Sequence, residues 1–397
     1  MPISRARRVL WWMVIGVAAL LVLKTFVVDI YPVSSSSMEP TLHRGEWVVV
    51  AHGGGRPERG EVVVVRHGDD ALVKRVCGVG GQGGERLTVD PSGDIWINGE
   101  RPGKGRWRIG NETNTTIDPR VKIFDLGEQD PAEVFEGLGS LAPGWRRRPS
   151  GELVAGDLGP ADVTFSSVLQ YQRILRDGYR DLAGRVHDGE VSVPDLAVDL
   201  QLQELGHPSS LVVSLTEQGD RFELRLESAD SNGGARMSLV RVTPEAEIRL
   251  GGPSNISLGG SGRETLIHLS NVDNRVEALV YAEGDTVWNT MAHDYDRNSY
   301  QPGDEERRGT SLGARMRLTA TGHVVLSELS LARDVQFRPR GMLGPGGVQV
   351  GPGEIFVLGD HSADSRDSRD FGSLPEKAIV GRPLFAIWPP RAMRSLR

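Results

Sequence analysis

Apolar residues run unbroken from position 9 to position 23; Lys24 and Thr25 interrupt the run, and Phe26, Val27 and Val28 extend it. Taken as one helix, residues 9–28 are long enough to cross a hydrocarbon layer, with Lys24 near the far end reaching back to the interface. Arg5, Arg7 and Arg8 precede the run, so the positive-inside bias keeps residues 1–8 in the cytoplasm and sends the rest across. A cleavable signal peptide is the alternative, because the uninterrupted part is short enough for an h-region. Its flank, Lys24-Thr-Phe-Val-Val, is however a poor cleavage site.

Beyond the anchor the pattern changes to short β-like runs. Residues 47–51, 61–66 and 72–77 are rich in β-branched side chains, and turn residues at 53–57 and 68–70 separate them. Residues 86–89 and 94–98 read as a further hairpin around Pro91-Ser-Gly93. From about 111 to 337 the chain is a different module. A helix is expected over 167–182, because Val168, Leu169, Tyr171, Ile174, Leu175 and Tyr179 form an approximately helical stripe. Alternating strand candidates then follow at 196–202, 210–215, 221–226, 246–250, 265–269, 276–281, 314–318 and 323–327, the rhythm of a β-sandwich. That rhythm resembles, loosely, the concanavalin-like jelly-roll domains. The expected fold is mainly β: a tail (1–8), a transmembrane helix (9–28), a catalytic β core split into 29–110 and 338–397, and an inserted jelly-roll-like sandwich (111–337) with one preceding helix.

Composition narrows the partners and the redox setting. The formal net charge of -7, with no basic stripe, argues against nucleic acid. Fifty glycines against nine Phe and six Tyr favour turns and strands over helical bundles. The single Cys77 excludes an intrachain disulfide, and no residues near it have metal-ligand spacing.

Three segments carry candidate chemistry. Ser35-Ser36-Ser37-Met38-Glu39-Pro40-Thr41-Leu42 places hydroxyls in a turn just beyond the apolar run, where a serine could face an extended peptide once its proton is removed. Taken alone it is equally a polar linker, and the run from Ser34 to Ser37 does not say which serine matters. Val73-Lys74-Arg75-Val76 sets a lysine in an apolar strand. An amine desolvated there falls from about 10.4 toward the range of a general base. The third segment, residues 356–372, alternates Asp, Ser and Arg and could build a fixed ion-pair scaffold; its other reading is a solvated charged loop.

In this order the three closely resemble the bacterial signal peptidase I family. Ser37-Met38-x-Pro40-Thr41-Leu42 matches the nucleophile box, and Lys74-Arg75-Val76 with Gly78 the lysine box. Gly359-Asp360, Ser365, Asp367-Ser368-Arg369 and Gly372 match the last box. Gly45-Glu46, residues 59–63, Ile97-Asn98-Gly99, Ile379-Val380-Gly381 and Trp388-Pro389 resemble intervening elements. His361 and Ser362 depart from the usual Asn and Arg, and Gly80-Gly81-Gln82 from a usual Pro-Gly-Asp.

The resemblance implies the roles. Ser37 is the nucleophile and Lys74 its base. Ser35 supplies an oxyanion-hole hydroxyl, and Ser365 orients the Lys74 amine. Arg75 with Asp360 and Asp367 with Arg369 are supporting ion pairs. It implies a serine endopeptidase that cuts signal peptides from exported preproteins after small residues. The enzyme would be single-pass in the bacterial cytoplasmic membrane, with its catalytic part on the outer side, and would need neither metal nor organic cofactor. Its partners are preproteins and the lipid bilayer; oligomeric state is open. A Ser/Lys peptidase with a specialised substrate, and a membrane-tethered binding module with a vestigial peptidase core, are the rival readings.

Overall fold

In the computed structural model the described residues are 28–396, except 54, 90–92, 94, 101–120, 128, 139–143, 157–165, 172–175, 192, 194, 218, 232, 259–263, 273–274, 283–288, 296–314 and 345; before them only Trp11, Trp12 and Val14 are described. The chain divides into two compact units. One comprises Met1–Pro119, Tyr179–His187 and Val335–Arg397; the other comprises Arg120–Gly178 and Asp188–Asp334. The described elements are almost all strands.

The first unit is built on an antiparallel sheet. Its strands run in the order Val28–Pro32, Trp47–His52, Ile379–Trp388, Val62–His67, Asp70–Val79, Glu354–Leu358 and Leu374–Pro375, with Arg394–Ser395 alongside Ile379–Trp388. Strands from both ends of the sequence therefore interleave. Ile379–Trp388 lies between Trp47–His52 and Val62–His67, and Glu354–Leu358 pairs with Asp70–Val79. Val62, Val63, Val64 and Val65 are all buried, so this strand carries apolar residues on both faces. Val62 and Val64 pack with Met38, Leu42, Val48 and Val50, while Val63 and Val65 pack with Val76, Ile355 and Val357. A smaller sheet joins Val348–Val350, Glu85–Val89 and Ile95–Ile97.

The second unit contains two large antiparallel sheets. Leu196–Leu205 and Val324–Arg333 are neighbours in one, and Ser210–Glu217 and Arg315–Thr321 in the other. Their alternate residues share one core, Val198, Leu200 and Leu329 from the first sheet meeting Leu211, Val213 and Leu318 from the second. Alternation along each strand is what allows two sheets to bury one face apiece.

One expectation changes, and one lies outside the described residues. The helix over 167–182 is absent where the chain is described: Ser166–Tyr171 is a strand, paired with Arg315–Thr321, and Tyr179–Arg180 is a strand of a short hairpin. Ser167, Leu169 and Tyr171 are buried while Ser166 and Val168 are exposed, a period of two. The transmembrane helix falls almost wholly outside the described residues. Trp11, Trp12 and Val14 are helical, Val28 already opens a strand, and no described helix is long and apolar enough to cross a membrane.

Candidate active site

The Ser37 turn is held by its apolar neighbours. Met38 and Leu42 are 1% exposed and pack against Val48 and Val50, so the turn between them cannot lift from the sheet without opening this core. Leu42 N–H donates to the Met38 carbonyl, and Glu39 N–H to the Ser36 carbonyl. At the far side Arg394 reaches across, donating to the Thr41 carbonyl at 2.6 Å and to the fully buried Glu46 at 2.7 and 3.0 Å. Ser37 is thereby fixed with its side chain turned inward; it is 6% exposed.

Lys74 comes to the same point from the strand Asp70–Val79, and its Nζ donates to Ser37 Oγ at 2.6 Å. Lys74 is 2% exposed. Burial is the main influence on its amine and lowers it from 10.5 to about 8; the charges of Asp367 and Asp360 pull upward against this, and Arg369 pushes down. An amine poised there is neutral in an appreciable fraction near neutral pH and can accept a hydroxyl proton. Ser35 Oγ lies 3.1 Å from Ser37 Oγ on the exposed side.

Charged groups around the pair are tied to one another. Arg75 Nε and Nη2 donate to the two oxygens of Asp360 at 2.8 and 2.5 Å, and Arg75 Nη1 donates to the Gly60 carbonyl at 2.6 Å. Thr41 Oγ1 donates to Asp360 at 2.5 Å, joining the Ser37 turn to this pair. Arg369 likewise forks onto Asp367 at 2.8 and 2.6 Å, with both side chains completely buried. Burial works to raise the Asp367 carboxyl, but Arg369 and the Gly359 N–H outweigh it and hold the group below its ordinary value.

Ser365 sits in the same wall. It is 3% exposed, and its Oγ makes no hydrogen bond to Lys74. Gly359 explains the tightness here: a Cβ at that position would collide with Ser365 Oγ and with the Ser37 carbonyl oxygen. Ser362, one of the departures, is a buried structural acceptor, receiving Arg369 Nη1 at 2.6 Å and the Arg338 N–H at 2.7 Å. Its role was not visible in the sequence, since only the fold brings Arg338 beside it. Neither was the Arg394–Glu46 clamp. Among the described residues no group of His, Cys, Asp and Glu could hold a metal ion.

A family model described as signal peptidase, peptidase S26, matches residues 6–130 and 275–388, more than half of the chain. The chain belongs to this family. All eight residues singled out from the sequence lie inside the matched stretches of the peptidase S26 model. Signal peptidase I of Haemophilus influenzae is 35% identical over 100 residues, which is 25% of this chain and 27% of that protein. Signal peptidase I of Bacillus caldolyticus is 50% identical over 44 residues, 11% of this chain and 24% of the relative. The chain thus spans about a quarter of the length of each. Among solved structures, the winged bean acidic lectin complexed with methyl-alpha-D-galactose covers 53% of this chain and 97% of its own, at 10% identity and a TM-score of 0.34, a likeness too slight to carry an argument.

Proposed function

We propose that this peptidase S26 member is a signal peptidase I, a serine endopeptidase that removes signal peptides from exported preproteins after small residues. The observation that carries the reading is the buried 2.6 Å contact between Lys74 Nζ and Ser37 Oγ, with the amine lowered to about 8. Neutral Lys74 takes the Ser37 proton as Oγ attacks the scissile carbonyl carbon. The Ser37 N–H and the Ser35 hydroxyl receive the oxyanion. As the C–N bond breaks, the Lys74 ammonium gives its proton to the departing amine, leaving an acyl group on Ser37. Lys74 then deprotonates the water that releases it. The orienting role expected for Ser365 has no contact to carry it: its Oγ packs at Gly359 beside the Ser37 backbone and makes no hydrogen bond to Lys74.

The substrate would lie extended beside a strand of the catalytic sheet, pairing main chain to main chain. Residues 9–28 would anchor the enzyme in the bacterial cytoplasmic membrane with the N-terminus cytoplasmic, next to substrates that are themselves membrane-embedded. Residues 120–178 and 188–334 would form a jelly-roll-like domain inserted into the split core.

The test is cleavage of a model preprotein with an Ala-x-Ala site by the full chain in detergent, with the product N-terminus sequenced. Wild type is expected to cut after the second Ala, and Ser37→Ala to leave the substrate intact. Equal cleavage by both proteins would sink the reading.

A further inference from the structure

Nine residues of the stretch between the two core halves belong to the catalytic unit instead of the unit around them. The chain leaves the second unit at Gly178, contributes Tyr179–His187 to the first, and re-enters the second at Asp188. These residues form a hairpin, Tyr179 opposite His187 and Arg180 opposite Val186. Asp181 knits its turn: the carboxylate accepts the Ala183 and Arg185 N–H groups, each at 2.9 Å, and the Arg185 Nε at 2.8 Å, while His187 Nε2 lies 3.2 Å away. The hairpin is thus built from within, and most of its residues, Val186 included, are exposed.

Its footing is aromatic. The Tyr179 ring stacks on His187 at 4.6 Å and stands edge-on to His361 at 5.0 Å. His361 follows Asp360 directly, and its N–H donates to the Ser37 carbonyl at 3.1 Å. Three residues further along comes Asp364, which accepts the Ser36 hydroxyl at 2.6 Å. Burial first, then the charges of Glu39, Asp181 and Asp364, hold the Tyr179 phenol above its ordinary value, as befits a ring among the residues of the nucleophile turn.

We propose that Tyr179 is a positioning residue for the nucleophile: seated on His361, it fixes the backbone N–H that holds the Ser37 carbonyl, and so aims Ser37 Oγ at Lys74 and at the substrate. The proposal rests on the assignment of Ser37 as nucleophile, though not on the identity of the substrate. An edge-on aromatic contact is worth enough to shift rates by roughly three- to tenfold if its loss falls on the reactive geometry. The ring, not the hydroxyl, makes that contact.

The experiment compares full-length wild type, Tyr179→Ala, Tyr179→Phe, His361→Ala and the double variant Tyr179→Ala/His361→Ala. Two rates are read: kcat and KM on the Ala-x-Ala preprotein, and phosphonylation of Ser37 by a phosphonofluoridate, followed by intact mass. Tyr179→Ala and His361→Ala should each lower kcat and the labelling rate roughly three- to tenfold with KM little changed. Tyr179→Phe should match wild type, and the double variant should be no slower than either single one, because both remove one contact. Slower Ser37 labelling by Tyr179→Ala in a protein that leaves preprotein uncut would uphold this proposal while refuting the substrate reading. Unchanged labelling and kcat in Tyr179→Ala, or additive losses in the double variant, would overturn it; so would a lowered thermal midpoint with unchanged rates, which marks a merely structural contact.

Discussion

Arg75 grips Asp360 through two hydrogen bonds, at 2.8 and 2.5 Å, across 285 residues of chain. Each partner flanks a working part of the site. Arg75 follows Lys74, and Asp360 sits between Gly359 and His361, both of which meet the Ser37 carbonyl. With 2% and 0% of their side chains exposed, the two charges are held by each other, with Thr41 donating to Asp360 and the Gly60 carbonyl accepting from Arg75. Removing one leaves the other buried without its counter-charge. Arg75→Ala and Asp360→Ala are each expected to cost about 3–5 kcal/mol in urea unfolding, and a loss below about 1 kcal/mol would show the pair to be dispensable.

Lys74 has the opposite balance. Folding lowers its amine from 10.5 to about 8, so the unfolded chain binds the proton more tightly than the folded one. The penalty is full below pH 8 and fades as pH rises from about 8 to 10.5. Lys74→Met keeps the stem and removes the charge. It should therefore be inactive yet more stable at pH 7 by about 1–3 kcal/mol, the gain shrinking toward pH 10. Equal stability at both pH values would contradict this.

Gly359 is a steric keystone. A Cβ there would strike Ser365 Oγ and the Ser37 carbonyl oxygen, so Gly359→Ala must displace one or both. Overpacking of this kind costs about 1–3 kcal/mol, and the displaced group lies beside the proposed nucleophile. We expect kcat to fall more than tenfold with the chain still folded by circular dichroism. Undiminished activity would mean that the loop has slack.

Cys77 lies on the same strand as Lys74, with its side chain fully enclosed and its thiol pushed up to about 12 by burial. A thiol reagent at pH 8 should leave it unmodified in the native protein and label it fully in urea. Rapid native labelling would show that the strand opens readily.

The sequence exposed the residues of the candidate site more clearly than the architecture around them. Ser37, Lys74 and Asp360 were legible because their neighbours are dictated by the turn and strand that hold them: Met38 and Leu42 as anchors, Val73 and Val76 as an apolar frame, Gly359 as the only residue that fits. The stretch after 166 was misread because Val168, Leu169, Tyr171, Ile174 and Leu175 satisfy a helical stripe. What decides its strand is pairing with Arg315–Thr321, almost 150 residues away, which no local window contains. Tertiary partners likewise hide Ser362, Arg394 and the Tyr179–His187 hairpin. Their residues are unremarkable until Arg369, Glu46 and His361 are brought against them.

The most direct measurement is the pH dependence of kcat/KM for preprotein cleavage by the full chain, beside Lys74→Ala. With Lys74 as the base, the rate of wild type should rise through an apparent pKa near 8, more than two units below a free lysine, and Lys74→Ala should be inactive at every pH. A profile turning near 6.5, the ordinary value for histidine, or cleavage that survives Lys74→Ala would contradict the account and hand the base's role to another group.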